Sequence, residues 1–179
     1  MNYVNIWQLS DKMKTGQKEA IMNLTYRKIT KSELPQAVEL TLRVFDEFEA
    51  PEYPPQGVQT FHNIMADEPF LNQICIYGAF DESAGTVQSA DTTSKLAGII
   101  ATRNNGNHIT LFFVDKVYHR KGIGRNLFEL VKADNTTGTI TVNSSPYAVE
   151  VYKHLGFTPT GPEELKDGIR STPMEYKKR

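Results

Sequence analysis

Directly after Met22, apolar and polar residues alternate through NLTYRKI, the period-two signature of a half-buried strand. From Thr30 the period changes. Leu34, Ala37, Val38, Thr41, Phe45 and Phe48 fall at helical spacing, and Thr30 with Glu33 fits a capping box in front of them. Pro35 is tolerated so close to the start, where the amide it lacks has no helical partner. The segment APEYPPQG (50–57) ends that helix, and a weaker helical pattern covers 57–67. NQICIYGAF (72–80), LAGIIATR (96–103) and HITLFFV (108–114) read as three strands of an antiparallel meander. The first two are separated by a small, polar stretch (82–95) that reads as an exposed loop, the last two by NNGN (104–107), which is turn chemistry. A helix is predicted from Gly122 to Ala133, with Ile123, Leu127, Leu130 and Val131 on one face, followed by a short strand, GTITVN (138–143). Ser145-Pro146 opens another helix, with serine as N-cap and proline at the first position. Its inner stripe is Ala148, Val151, Tyr152 and Leu155, and Gly156 ends it. Two short extended pieces close the chain, near 157–160 and 171–177. The order β-α-α-β-β-β-α-β-α-β-β specifies a mixed α/β (α+β) layer architecture without repeats.

The 179 residues suit one domain with a sizeable core. The register begins after Met22, so residues 1–21 are expected to be an extension and 22–179 the domain; a docked N-terminal helix is the alternative for the first stretch. A formal net charge of −1 leaves no electrostatic footprint for nucleic acid. Cys75 is the only cysteine, which rules out an intrachain disulfide and fits a reducing cytoplasm. No apolar run approaches the roughly 20 residues of a membrane helix, and MNYVNIWQLSDKMKTGQ lacks the regions of a signal peptide. Neither nucleic acid nor membrane is therefore an expected partner. Oligomeric state is not encoded legibly, and a homodimer is compatible with the chain.

The stretch VYHRKGIGR (117–125) is the strongest chemical signal. A strand rich in Phe and Val runs into basic residues and two glycines, and a helix starts there. Glycine lets a ligand approach the backbone closely. The first amides of a helix lack internal partners and, with the helix dipole, attract anions. His119, Arg120, Lys121 and Arg125 add positive charge around a phosphate or pyrophosphate cradle; a strand-to-helix turn with solvated basic residues is the plain alternative. A P-loop is weakened because Gly-Lys-Ser/Thr is absent, and a dinucleotide fingerprint because Leu127 stands where its third glycine belongs and Asn143 lies where its acidic residue is wanted.

Taken with VNSSPYAVEVYKHLGF (142–157), the segment FFVDKVYHRKGIGRNLFELV (112–131) closely resembles the GCN5-related N-acetyltransferase (GNAT) superfamily. The resemblance runs from about Leu24 to Tyr176 as an order of elements and is specific over 112–157. It implies a central, mainly antiparallel sheet flanked by helices and splayed where acetyl-coenzyme A enters. It implies an acetyl-CoA-dependent transfer to an amine of a small molecule or peptide; a non-catalytic module for a coenzyme A thioester or a phosphate ligand is the other reading. Carried onto this chain, it puts His119, Arg120, Lys121, Gly122, Ile123, Gly124 and Arg125 on the pyrophosphate and Phe112, Phe113 and Val114 beside the pantetheine and thioester. Tyr152 falls on the family's catalytic tyrosine, which would protonate the leaving thiolate. Three departures stand out. His119 occupies a position usually held by Gln or Arg. Either Asn143 or Ser145 could serve as the family's asparagine. The strand HITLFFV carries no carboxylate to act as base.

Around the end of the first helix, Glu49 or Tyr53 could bind the acceptor amine, since that region walls the acceptor site in the family; a solvated helix end is the simpler reading. His62 and His154 lack metal-ligand spacing, so no metal is expected. Cys75 sits in a β-rich run and reads as core rather than nucleophile.

Overall fold

The computed structural model describes residues 22–83 and 94–178. Residues 1–21 and most of the polar loop 82–95 lie outside that range. The first strand, β1 (Leu24–Lys28), is followed by a 3-10 turn at Lys31–Glu33 and by α1 (Leu34–Phe48), the span its periodicity specifies. The Thr30 amide donates to Glu33 Oε2 at 2.9 Å, and Arg27 clasps the same carboxylate at 2.6 Å, so the helix entry is fixed before its apolar face begins. Pro51 and its neighbours form a 3-10 turn, Ala50–Glu52, that separates α1 from α2 (Pro55–Met65). A single-turn helix, α3 (Glu68–Leu71), leads to β2 (Cys75–Asp81), β3 (Lys95–Arg103) and β4 (His108–Val114). After a 3-10 turn at Lys116–Tyr118 come α4 (Ile123–Asp134), β5 (Thr139–Ser144), a 3-10 turn at Pro146–Ala148, and α5 (Val149–His154). The chain closes with β6 (Thr158–Pro159), β7 (Glu164–Lys166) and β8 (Ile169–Lys177).

Seven strands lie in the order β1-β2-β3-β4-β5-β8-β6, with β7 paired to β8 off that path. All pairs are antiparallel except β4 with β5. Helices cover both faces, as the alternating strands require. On one face, Ile76, Phe80, Ile99, Leu111 and Phe113 pack against Ala37, Leu40, Val44 and Phe45 of α1. On the other, Tyr77, Ile100, Ile140 and Val142 pack against Ile123, Leu127, Phe128 and Val131 of α4. Each such side chain stabilises the fold by about 1.5–3 kcal/mol when fully buried, so these two stripes fix where α1 and α4 sit.

Several sequence expectations need correction. Val151 is 47% exposed rather than part of the inner stripe, because the first turn after Ser145 is 3-10 and rotates the stripe; only Tyr152 of that short α-helix is fully buried. The strand expected from residue 72 starts at Cys75, which is half-buried against the core. Neither α3 nor β7 was expected, since elements of one turn or three residues carry no readable period.

Candidate active site

At the end of β4 the backbone enters the basic turn under tight control. Asp115 is buried; its Oδ1 accepts the Val117 amide at 3.1 Å and its Oδ2 accepts Arg43 at 2.9 Å, while Lys95 lies 3.9 Å away. Tyr118 donates its hydroxyl to Asp81 of β2 at 2.9 Å. The 3-10 turn is thus tied to α1 on one side and to β2 on the other. Arg120 then takes φ +60° and Gly122 φ +79°, left-handed values that reverse the chain so that α4 starts at Ile123. A side chain at Gly122 would meet nothing within 4 Å but would be strained by that φ. No side chain caps α4, which leaves its first amides directed outward. Arg120, Lys121 and Arg125 are exposed and make no ion pair among the described residues. The arrangement can hold a phosphate or pyrophosphate.

Two turn residues behave differently from the rest. His119 is half-buried, with Nε2 2.8 Å from the Val114 carbonyl and its ring 5.4 Å from that of Phe48. For that bond Nε2 must carry the proton and donate, so this nitrogen serves the strand end rather than an anion. A Cβ at Gly124 would meet the Phe112 ring at 3.1 Å, so the second glycine is required by the approach of α4 to β4.

Next to the turn the sheet opens. β4 and β5 pair only at His108–Thr141 and Ile109–Val142 and then separate. Ala101 pairs with Leu111 but Thr102 with Ile109, so Thr110 is an extra residue bulged out of β4. A cavity of about 380 Å³ occupies the gap, walled by β4, β5, α2, the start of α5 and the β7–β8 hairpin. Glu49 and Tyr53 reach it from the α1–α2 connection, Tyr152 from α5, and Asn143 and Ser145 from the end of β5.

Burial sets the chemistry of this wall. It pushes the Glu49 carboxyl up to about 7, with the nearby Ser145 hydroxyl acting in the opposite direction. Ser145 Oγ nevertheless makes no hydrogen bond of normal geometry; the N-cap role expected of it is not used, and its hydroxyl is left for the cavity. Thr110 Oγ1 is likewise buried without a partner. Tyr152 is 4% exposed, its ring 5.9 Å from Phe112 and 5.2 Å from Phe157. Its pKa is raised by burial first and by the Glu49 charge second, so the hydroxyl stays protonated. Tyr53 is raised for the same two reasons and donates to the Arg170 carbonyl at 3.1 Å.

The hairpin that roofs the cavity is fastened to α2. Thr60 donates to the Asp167 carbonyl at 2.9 Å, and Gly57 lies so close to the hairpin that a Cβ there would stand 2.1 Å from the Gly168 carbonyl oxygen. Arg170 adds bonds to the Glu52 carbonyl at 3.2 Å and to Glu163 at 2.8 Å.

Tyr152, Glu49, Tyr53, Phe112, Phe113, Asn143 and Ser145 therefore share one cavity, with the turn beside it. Phe112 and Phe113 point to opposite faces, the first toward Tyr152 and the second toward Phe61 at 5.9 Å. Thr110, Arg103 and Lys166 also line the cavity and escaped sequence reading. None of the three carries a local mark in the sequence: a threonine is ordinary in a strand, and the two cations lie in segments with no motif. Among the described residues no group of three His, Cys, Asp or Glu could hold a metal, and no helix is long and apolar enough to cross a membrane.

Residues 49–178, well over half the chain, match the family described as the acetyltransferase (GNAT) domain. The chain belongs to the GNAT family. Solved structures carry the same fold. A GCN5-related N-acetyltransferase from Rhodopseudomonas palustris superposes with a TM-score of 0.66 at 16% identity, over 88% of this chain and 98% of that one. The PaiA N-acetyltransferase of Thermoplasma acidophilum, solved with coenzyme A, gives 0.64 at 21% identity over 87% and 99%. A spermidine N-acetyltransferase of Vibrio cholerae, solved with CoA and spermine, gives 0.56 at 15% over 87% and 95%. Comparison with curated proteins finds no match. In this GNAT chain the splay between β4 and β5 and the turn before α4 are the two features that set the site apart from the rest of the sheet.

Proposed function

We propose that this protein is an N-acetyltransferase that moves the acetyl group of acetyl-coenzyme A to an amine held in the cavity. The supporting observation is the pairing, on one cavity wall, of a carboxyl that ionises near neutrality with a phenol that stays protonated. Bound acetyl-coenzyme A would supply a thioester, an acyl group already activated toward amines. The exposed amides and cations of the β4–α4 turn would hold its phosphates. Phe112 would flank the reacting end, and the bulge at Thr110 frees β4 backbone groups for polar contacts there.

Glu49 is the base in this reading. Above about pH 7 its carboxylate can take the proton that an ammonium must lose before its nitrogen attacks. Tyr152 Oη then gives its proton to the departing sulfur. The two steps assist each other. The Glu49 charge is one cause of the raised Tyr152 pKa, and once Glu49 is protonated that repulsion disappears and the phenol becomes a better donor. Ser145 Oγ and Thr110 Oγ1 are available to orient the amine.

Thiol release on mixing the protein with acetyl-coenzyme A and a panel of amines tests this function. Turnover that depends on both substrates is the expected result. Tight coenzyme A binding without acceptor-dependent thiol release would leave the chain a binding module.

A further inference from the structure

Among the described residues, some cations are paired with carboxylates and others are not. On the sheet and helices, Arg27, Lys28, Arg43, Lys116, Lys132, Lys153 and Lys177 each sit within 4 Å of a carboxylate. Arg170, on the cavity wall, is likewise held by Glu163. Arg103 and Lys166 also line the cavity, yet neither makes an ion pair or a side-chain hydrogen bond among the described residues. His108, which also lines the cavity, adds no charge, because burial and then Arg103 push its pKa down to about 4.

The positions of the two cations add a direction. Arg103 pairs with His108 at the beginning of β4, while Phe112, four residues on, packs against Tyr152. Four strand residues span at most roughly 13 Å, less what the bulge at Thr110 takes up. The hairpin tells the same story along α2: Arg170 meets Tyr53, Gly168 meets Gly57 and Asp167 meets Thr60, so Lys166 is carried away from the Glu49–Tyr53 end. Both cations stand at the end remote from Tyr152, and among the described residues that line the cavity the carboxylate at that end is the exposed Asp167.

We propose that the acceptor is an extended amine bearing an oxyanion group, with its nitrogen at Glu49 and Tyr152 and its anion received by Arg103 and Lys166. This rests on the transferase reading of the same cavity and narrows its substrate class. A short peptide with a free amino terminus and a carboxylate end has this shape; an α-amino acid is too short to span the two ends. A polyamine would set its second ammonium against two cations. An anionic end instead gains charge-assisted contacts that neither cation makes among the described residues.

The test is calorimetric binding to protein saturated with coenzyme A. The ligands are a tripeptide with a carboxylate end, its carboxamide, an aminoalkyl phosphate of matched length, and spermidine. The carboxylate or the phosphate is expected to bind at least tenfold more tightly than the carboxamide, and whichever binds tighter identifies the source of the anion. The double variant Arg103→Gln/Lys166→Gln, at exposed positions outside the proposed catalytic pair, should erase that preference and leave carboxamide affinity unchanged. Equal binding of all four, tighter binding of spermidine, or a preference that survives the double variant would overturn the proposal. Thiol release on the same ligands separates the two readings. Turnover with no anion preference removes this inference alone, whereas anion-selective binding without any thiol release removes the transferase and leaves the anion site standing.

Discussion

The turn before α4 and the cavity at the strand split are separated by little more than the end of β4, but they are made of different material. The turn is chiefly backbone: outward amides, a left-handed Gly122, and three exposed cations around them. The cavity is side chains: Glu49 and Tyr53 come from the α1–α2 connection, Ser145 from the end of β5 and Tyr152 from α5, and they depend on burial for their character. A backbone site spreads its contacts over many groups, so no single side chain should be decisive. A side-chain site concentrates its chemistry in one or two atoms, and losing one should be severe.

Tyr152→Phe is the sharpest test of that contrast. It keeps the ring between Phe112 and Phe157 and removes one oxygen. The chemical step, measured in a single turnover, is expected to slow by roughly 10²–10⁴ with coenzyme A affinity unchanged. A step within twofold of the parent would give Tyr152 to the core.

Glu49→Gln comes next, with an expected loss of roughly 10² in kcat/KM at pH 8. The parent activity should climb as pH rises through about 7, where Glu49 loses its proton, and the variant should lack that limb. Stability moves the other way. The folded pKa of about 7 lies above the ordinary glutamate value of 4.5 that holds in the unfolded chain, so between these values the unfolded chain holds fewer protons and the fold loses stability as pH rises. The glutamine variant should therefore melt higher than the parent at pH 8 and match it below pH 4, as thermal scans at the two pH values would show. A variant that melts lower at pH 8 would mean that the Glu49 carboxylate holds the fold together.

Gly57→Ala probes the roof rather than the chemistry. The added carbon would fall 2.1 Å from the Gly168 carbonyl oxygen, so backbone must shift, at a cost of about 1–3 kcal/mol read as a lower Tm. Acceptor affinity should weaken while coenzyme A affinity holds. Smallest of all should be Arg120→Ala or Arg125→Ala, each lowering coenzyme A affinity by no more than about fivefold at low salt and less at high salt. A hundredfold loss from one arginine would show the turn to be a side-chain device and erase the contrast.

The same contrast explains what could be read in advance. The turn, its strand and its helix are contiguous over 112–131, so spacing alone carries them. The helix α1 and the meander β2-β3-β4 follow from unbroken periodicity in long elements. The cavity is assembled from residues far apart in sequence, and nothing along the chain says that Glu49 ends up beside Ser145 or that α2 lies under a hairpin at 164–171. Resemblance picked out Tyr152 and pointed to Glu49 and Tyr53, whereas Thr110, Arg103 and Lys166 carry no local mark. Val151 failed for a local reason: a single 3-10 turn after Pro146 was enough to swing a valine into solvent.

The seam between Gly57 and Gly168 has a mechanical consequence. With no side chain between them, α2 and the β7–β8 hairpin meet backbone to backbone, and the cavity wall has a fixed thickness at that point. A chain descended from this one could not widen the chamber by lengthening the hairpin turn alone, since the helix would be dragged with it. Reshaping the cavity would call for α2 and the hairpin to be exchanged together, whereas the charge at its far end could be changed one residue at a time.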